Sequence, residues 1–169
     1  TKFTVKTNLG IYNQFVNHLY GSRAIGENID NYNWRLSNGD NTPVVNAKQA
    51  MLGTIYNNKG WVIDLEGYVK ITDGITLHNL YDYTNTTDLF TGSYSTTGLD
   101  VMVKKNIKRF DIWAGYTWSN TEVQIDSISS DEFESIWDQA HVFNVVGTFK
   151  KGNFKISAGW KYRTGLAVL

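Results

Sequence analysis

The chain has 169 residues, enough for one domain, and its 16 basic and 16 acidic side chains cancel to a formal net charge of zero, which excludes the strong overall field of a nucleic-acid-binding protein. It has no cysteine, so disulfides, thiol nucleophiles and cysteine-ligated metals are excluded. No apolar run reaches the roughly 18 residues that a membrane helix needs, and 14% aromatic content with frequent Thr, Val, Asn and Gly points to β-structure.

Seven strands are predicted in chain order. The first, "KFTVKTNLGIYNQF", sets Phe3, Val5, Leu9, Ile11 and Phe15 against Thr4, Lys6, Asn8, Tyr12 and Gln14. The second, "VVNAKQAMLGTIYN", alternates poorly, and its facing is not decided without invoking a bulge. The third, "GWVIDLEGYVKIT", sets Trp61, Ile63, Leu65, Val69 and Ile71 against Asp64, Glu66, Tyr68 and Lys70. The fourth, "GLDVMVKK", sets Leu99, Val101 and Val103 against Asp100, Met102 and Lys104. The fifth, "RFDIWAGYTWSN", collects Phe110, Ile112, Ala114, Tyr116 and Trp118, and the sixth, "HVFNVVGTF", collects Phe143, Val145 and Phe149. The seventh, "FKISAGWKYR", sets Phe154, Ile156, Ala158, Trp160 and Tyr162 against Lys155, Ser157, Gly159, Lys161 and Arg163.

Short and long connections alternate. "NNKG", "NIKR" and "KKGN" read as tight hairpin turns, whereas residues 17–43, 73–97 and 120–140 read as long loops. An antiparallel meander then gathers the turns at one end and the loops at the other. The loops hold twelve acids (Glu27, Asp30, Asp40, Asp73, Asp82, Asp88, Glu122, Asp126, Asp131, Glu132, Glu134 and Asp138) against Arg23 and Arg35, a net of −10. The neutral total therefore leaves +10 elsewhere, much of it at the turns in Lys59, Lys104, Lys105, Lys108, Arg109, Lys150 and Lys151.

The apolar parity implies burial either against a second sheet, as in a soluble sandwich, or against lipid. The outward positions of the first, third, fifth and seventh strands carry no charge. A strand of about 12 residues, at about 3.3 Å each and tilted near 45°, spans roughly 28 Å, close to the band of an outer-membrane barrel. Phe3, Phe15, Trp61, Phe110, Trp118, Phe149, Phe154 and Tyr162, at strand ends, suit interfacial girdles. The opposite parity places Asp64, Glu66, Lys70, Asp100, Lys155, Lys161 and Arg163 towards a lumen, too many charges for a narrow dry one. The expected fold class is all-β, an antiparallel meander forming part of a large transmembrane β-barrel. Seven strands cannot enclose a wide lumen, and "TGLAVL" lacks a terminal aromatic strand end, so the chain reads as a segment of something larger.

"IYNQF", "TPVVNAKQAMLGTIY" and "WVIDLEGYVKITDGI", followed by "TGLDVMVKKNIKRFDIWAGYTWSN", "DQAHVFNVVGTF" and "GWKYRTG", resemble the C-terminal barrel of a TonB-dependent outer-membrane receptor, Bacteroidetes type. The motifs are loose, but their order spans almost the whole chain. The resemblance implies that residues 1–169 are about seven strands of a 22-stranded barrel, without the plug domain or the closing strand. It implies import of a bulky nutrient (siderophore, oligosaccharide or peptide) into the periplasm. The implied partners are outer-membrane lipid, TonB through an N-terminal region absent here, and a surface lipoprotein or other outer-membrane protein at the loop face, with no nucleic acid. Long loops would be extracellular and short turns periplasmic. The alternative is a receptor-like barrel serving as a structural subunit of an outer-membrane complex.

Enzymatic constellations are thin, so no enzyme, cofactor or metal is expected. His18, His78 and His141 fall in or beside different loops, and no nucleophile accompanies Asp138 and His141. Asp64 and Glu66 read as lumen charges facing Lys or Arg on neighbouring strands. The acidic stretch 129–138 lacks the glycine and spacing of a calcium loop and reads as a solvated loop. In "NLYDYTNTTDLFTGSY", the rings of Tyr81, Tyr83, Phe90 and Tyr94 are the candidates for contact with a ligand or partner, against packing within the loop.

Overall fold

The computed structural model describes residues 2–20, 32–39, 42–78, 89–125, 129–134 and 138–165. Its strands are β1 (Phe3–Gln14), β2 (Val16–Tyr20), β3 (Tyr32–Leu36), β4 (Val45–Asn58), β5 (Trp61–His78), β6 (Leu89–Ile107), β7 (Phe110–Ile125), β8 (Ser129–Glu134), β9 (His141–Lys151) and β10 (Phe154–Arg163). One antiparallel sheet runs β1-β4-β5-β6-β7-β9-β10, with β8 paired to the distal part of β7 and β2-β3 forming a small separate sheet. The seven-strand meander read from alternation is thus present. β1 and β10 each pair with one strand of the sheet, so both are edges.

The turns are two residues long. Lys59 (φ 47°) and Gly60 (φ 76°) both take positive φ between β4 and β5, the signature of a type I′ hairpin, whose twist matches that of the strands. Between β6 and β7 the positive φ falls on Lys108 (52°), and between β9 and β10 on Gly152 (58°). The turns step along the sheet. Trp61 lies opposite Lys105, the next turn pairs Phe110 with Ile107, two residues further down β6, and the last pairs Phe154 with Lys151, two residues beyond Phe149, which faces Phe110. The stagger is therefore two residues per hairpin, or one per strand.

The long connections need correction. Much of 73–97 and 120–140 is strand: β5, β6 and β7 run 18, 19 and 16 residues. Their distal parts, such as "TGSYSTT", carry no apolar alternation and read locally as loop, but the ladder with the neighbouring strand holds them extended. Region 17–43 contains β3 and most of β2, and 129–138, expected to be a solvated loop, contains β8. The second strand's facing is settled without a bulge: β4 pairs in continuous register with β1 and β5, placing Lys48, Ala50, Leu52, Thr54 and Tyr56 on the apolar face. The bulge lies in β5, where the register shifts between Asp73 and Ile75 at Gly74. Gly74 has φ 80°, and a Cβ there would stand 2.8 Å from the Val44 carbonyl oxygen.

A small polar knot ties the β2-β3 hairpin to the main sheet. Asn17 and Thr42 are buried, and the Asn17 amide donates to the Pro43 carbonyl (3.1 Å) and the Ser37 hydroxyl (3.3 Å). The Thr42 N–H donates to Asn38 Oδ1 (3.0 Å), and the Ser37 N–H donates to the Phe15 carbonyl (2.8 Å).

Among the described residues, Ala47 and Ile125 are the buried hydrophobic side chains. Large apolar side chains such as Leu9 (79%), Val5 (72%) and Ile11 (70%) stand exposed on one face, with no second sheet over them among the described residues. The opposite face is the more shielded one. Along β5, Trp61, Leu65, Val69 and Ile71 are exposed, whereas Asp64, Glu66, Tyr68 and Lys70 are half-buried and Thr72 is buried.

Replacing Gly74 by alanine forces a Cβ against Val44 in a left-handed backbone. The expected cost is about 1–3 kcal/mol, seen as a lower denaturation midpoint, whereas alanine at Gly67, whose Cβ position is open and whose φ is not positive, should cost less.

Candidate functional site

The polar face is built on strand alternation, and register decides which charges meet. Lys6 of β1 lies opposite Gly53 of β4, which lies opposite Glu66 of β5. The lysine reaches across β4 and donates to Asp64 Oδ2 (2.8 Å) and to Glu66 Oε1. It can do so because Gly53 has no side chain: a Cβ there would stand 2.9 Å from Lys6 Cε and 3.0 Å from Glu66 Cγ. Asp64 and Glu66 do face a lysine, as expected, but from the next strand but one.

On β6, Asp100 lies opposite Glu66 and accepts a hydrogen bond from Thr117 Oγ1 at 2.6 Å. A hydroxyl partner on one side and a lysine on the other let two like charges share one row. Lys70 sits over the Tyr94 ring at 5.9 Å. Gln49 donates to Tyr12 Oη (3.3 Å) and Asn8 Oδ1 (3.5 Å). Asn8, Gln49, Glu66, Tyr68, Lys70 and Tyr94 line a depression of about 490 Å³ on this face. Tyr68 lies over Gly98 and Tyr12 over Gly10, so ring faces fill the places where those glycines lack side chains.

Asp64, Glu66, Lys70, Asp100, Lys155, Lys161 and Arg163 lie on one face of the sheet. The pairings Asp64–Met102–Gly115–Asn144–Lys161 form one row, and Lys155 and Arg163 keep the parity of Lys161. Of the ring candidates, Phe90 and Tyr94 share the polar parity of β6, while Tyr81 and Tyr83 lie outside the described residues. His141 Nδ1 is 2.8 Å from Tyr116 Oη, on the apolar side. The motifs "DQAH" and "YRTG" meet directly: the His141 N–H donates to Thr164 Oγ1 (3.1 Å), and the Thr164 N–H donates to the His141 carbonyl (2.9 Å). No group of three or more metal-ligating side chains occurs among the described residues. Lys6 and Gly53 escaped sequence reading, because alternation reports which face a residue shares and not which residue it meets.

Comparison with known proteins returns no match to a family model, a curated protein or a solved structure.

The Lys6–Glu66 pair is partly solvated, so its expected coupling is about 1 kcal/mol. A double-mutant cycle of Lys6→Met with Glu66→Gln, read by denaturation midpoint at low and high salt, should recover that value. A Gly53→Val variant should abolish the coupling by blocking the lysine's path.

Proposed function

We propose that the chain is part of the wall of an outer-membrane β-barrel belonging to a TonB-dependent transporter, with the apolar face on lipid and the polar face on a wide aqueous lumen. The observation that carries this reading is the exposed face. Its charged residues on the paired strands collect in two end groups: Lys48, Asp73 and Glu122 at the loop end, and Lys105 and Lys151 at the turn end. Between them every outward position, from Val5, Leu9 and Leu52 to Ile156 and Trp160, is uncharged.

The dimensions support it. Lys48 shares a row with Ile71, Ser95 and Glu122, and Ser95 lies ten residues from Lys105 on β6. Ten residues rise about 33 Å, which projects to about 23–27 Å at tilts of 35–45°, against a barrel's apolar band of about 25 Å. The stagger gives the tilt independently. One residue per strand, about 3.3 Å over a strand spacing of about 4.8 Å, corresponds to about 35°. Aromatic pairs stand in both halves of the band, with Phe3–Tyr56 and Phe110–Phe149 (ring centroids 4.9 Å apart in each) near the turns and Phe143–Trp160 (5.7 Å) and Trp160–Tyr162 (6.2 Å) towards the loops. The edges β1 and β10 expose backbone N–H and C=O groups that hydrocarbon does not tolerate unpaired, so further strands of the complete barrel complete the ladder. Transport rests on the resemblance and on the lumen chemistry: a wide, charged, half-shielded face suits water, a plug or a polar cargo better than dry packing.

Topology is testable with single cysteines at Thr91, beyond the band at the loop end, and Asn153, in the last turn. A membrane-impermeant thiol reagent on intact cells should label the first and spare the second; the reverse refutes the orientation. Ala158→Arg should weaken membrane assembly by about 2–4 kcal/mol, while Ser157→Arg on the polar face should be tolerated; equal tolerance of both argues for a soluble sheet. For transport, a deletion strain should lose growth on at least one of siderophore-bound iron, an oligosaccharide or a peptide as sole source. Unchanged growth on all three removes the transport reading.

A further inference from the structure

We infer that the turn end is a binding rim for the phosphates of anionic phospholipids. This rests on the membrane reading above and adds to it a specific headgroup chemistry at one leaflet. Lys59, Lys104, Lys108, Arg109, Lys150, Lys151 and Lys155 are exposed at this end, and Lys105 is half-buried. The acid among them, Asp111, is paired with Lys150. Lys104 and Lys155 also lie close enough to Asp111 to feel its charge, and of the nearest acids of β5 and β6, Asp64 and Glu66 are engaged by Lys6 and Asp100 by Thr117, so one carboxylate stands among eight cations.

The arrangement of the cations favours a planar partner. They occupy three successive turns and both faces of the sheet: Lys105 and Lys151 on the apolar side, Lys104 and Lys155 on the polar side, and Lys59, Lys108 and Arg109 at the tips. A compact acidic protein would meet one side of such a rim. The turns step by two residues per hairpin, and this is the offset that strand tilt removes, so in a tilted wall the three tips stand at one height. Successive turns are two strand spacings apart, roughly 10 Å, so each tip meets a different headgroup.

Lys105 shows how the apolar side is adapted to an interface. It lies opposite Trp61 on β5 and Ile112 on β7, on the lipid-side face. Its ammonium sits over the Trp61 ring at 4.4 Å and donates to the Lys59 carbonyl at 3.1 Å. The side chain thus bends out of the apolar band to the turn, the snorkelling that a cation at a membrane boundary performs. Its aromatic neighbours Trp61, Phe110 and Phe149 stand at the same end, combining an aromatic girdle with cations at phosphate level.

The test uses protein extracted from its membrane in mild detergent and placed in bilayer discs of phosphatidylcholine, with and without phosphatidylglycerol. The variant combines Lys59→Asn, Lys108→Asn, Arg109→Gln and Lys151→Gln, leaving the Lys150–Asp111 and Lys105–Trp61 contacts in place. Each removed cation should weaken phosphatidylglycerol retention by up to roughly fivefold at low salt, so the combined variant should lose between about tenfold and several hundredfold of the wild-type preference over phosphatidylcholine, measured by native mass spectrometry of retained lipid. High salt should shrink the wild-type preference. Equal retention of the two lipids by the wild type, or a preference unchanged in the variant, overturns the inference while leaving the barrel reading intact. Indifference to phosphatidylglycerol with salt-sensitive capture of an acidic protein also overturns it. Failure of the wild type to enter bilayers of either composition overturns both.

Discussion

The continuous antiparallel ladder from β1 to β10 is the interaction on which the rest of this molecule depends. With Ala47 and Ile125 the buried hydrophobic side chains among the described residues, there is no conventional core to organise the chain. Six strand pairings in unbroken sequence hold it instead, and they satisfy the backbone donors and acceptors at every interior strand. That is the one requirement a membrane wall shares with a soluble sheet, and it is absolute in hydrocarbon. The distal stretches of β5 and β6 illustrate its strength, since ladder pairing alone keeps a Ser/Thr/Gly-rich sequence extended.

Given the ladder, the two faces solve opposite problems. The apolar face, from Leu9 to Trp160, has no second sheet of the described residues packed on it, and each exposed Leu, Ile or Val side chain forgoes about 1.5–3 kcal/mol of burial in water. A lipid surround removes that penalty without a second layer. The polar face gathers charges closely enough to require partners, and small residues make room for them. Gly53 opens a path for Lys6 to reach Glu66, and Gly98 accepts the ring of Tyr68. The same economy of space closes the apolar side of the turns, where Lys105 folds over Trp61.

The division of charge along the strands is a second axis. The acidic loop end and the basic turn end leave a neutral band whose height follows from register: ten residues of β6 separate the row of Ser95 from that of Lys105. Because stagger and tilt are the same quantity seen in two ways, a two-residue step at each hairpin both leans the strands and levels the turns. A sheet with zero stagger would carry the same charges at unequal depths once tilted.

Alternation by itself determined that Phe3, Trp61, Phe110 and Phe154 share one face and Asp64, Glu66, Asp100 and Arg163 the other, since the period of two is a property of each strand alone. It also located the three turns, because Gly60, Gly152 and the basic pair Lys108–Arg109 are local signals. Tertiary structure decided the rest. The facing of β4, ambiguous because Ala47 and Met51 are as apolar as Leu52, follows from its pairing with β1 and β5. The strand character of 89–97 depends on partners in β5 and β7, and the bulge at Gly74 on a register shift that appears only when two strands are set side by side. The Lys6–Glu66 contact spans 60 positions and an intervening strand. Faces are written locally, in the order of side chains along one strand; contacts depend on register, which is a relation between strands, and no single stretch of sequence contains it.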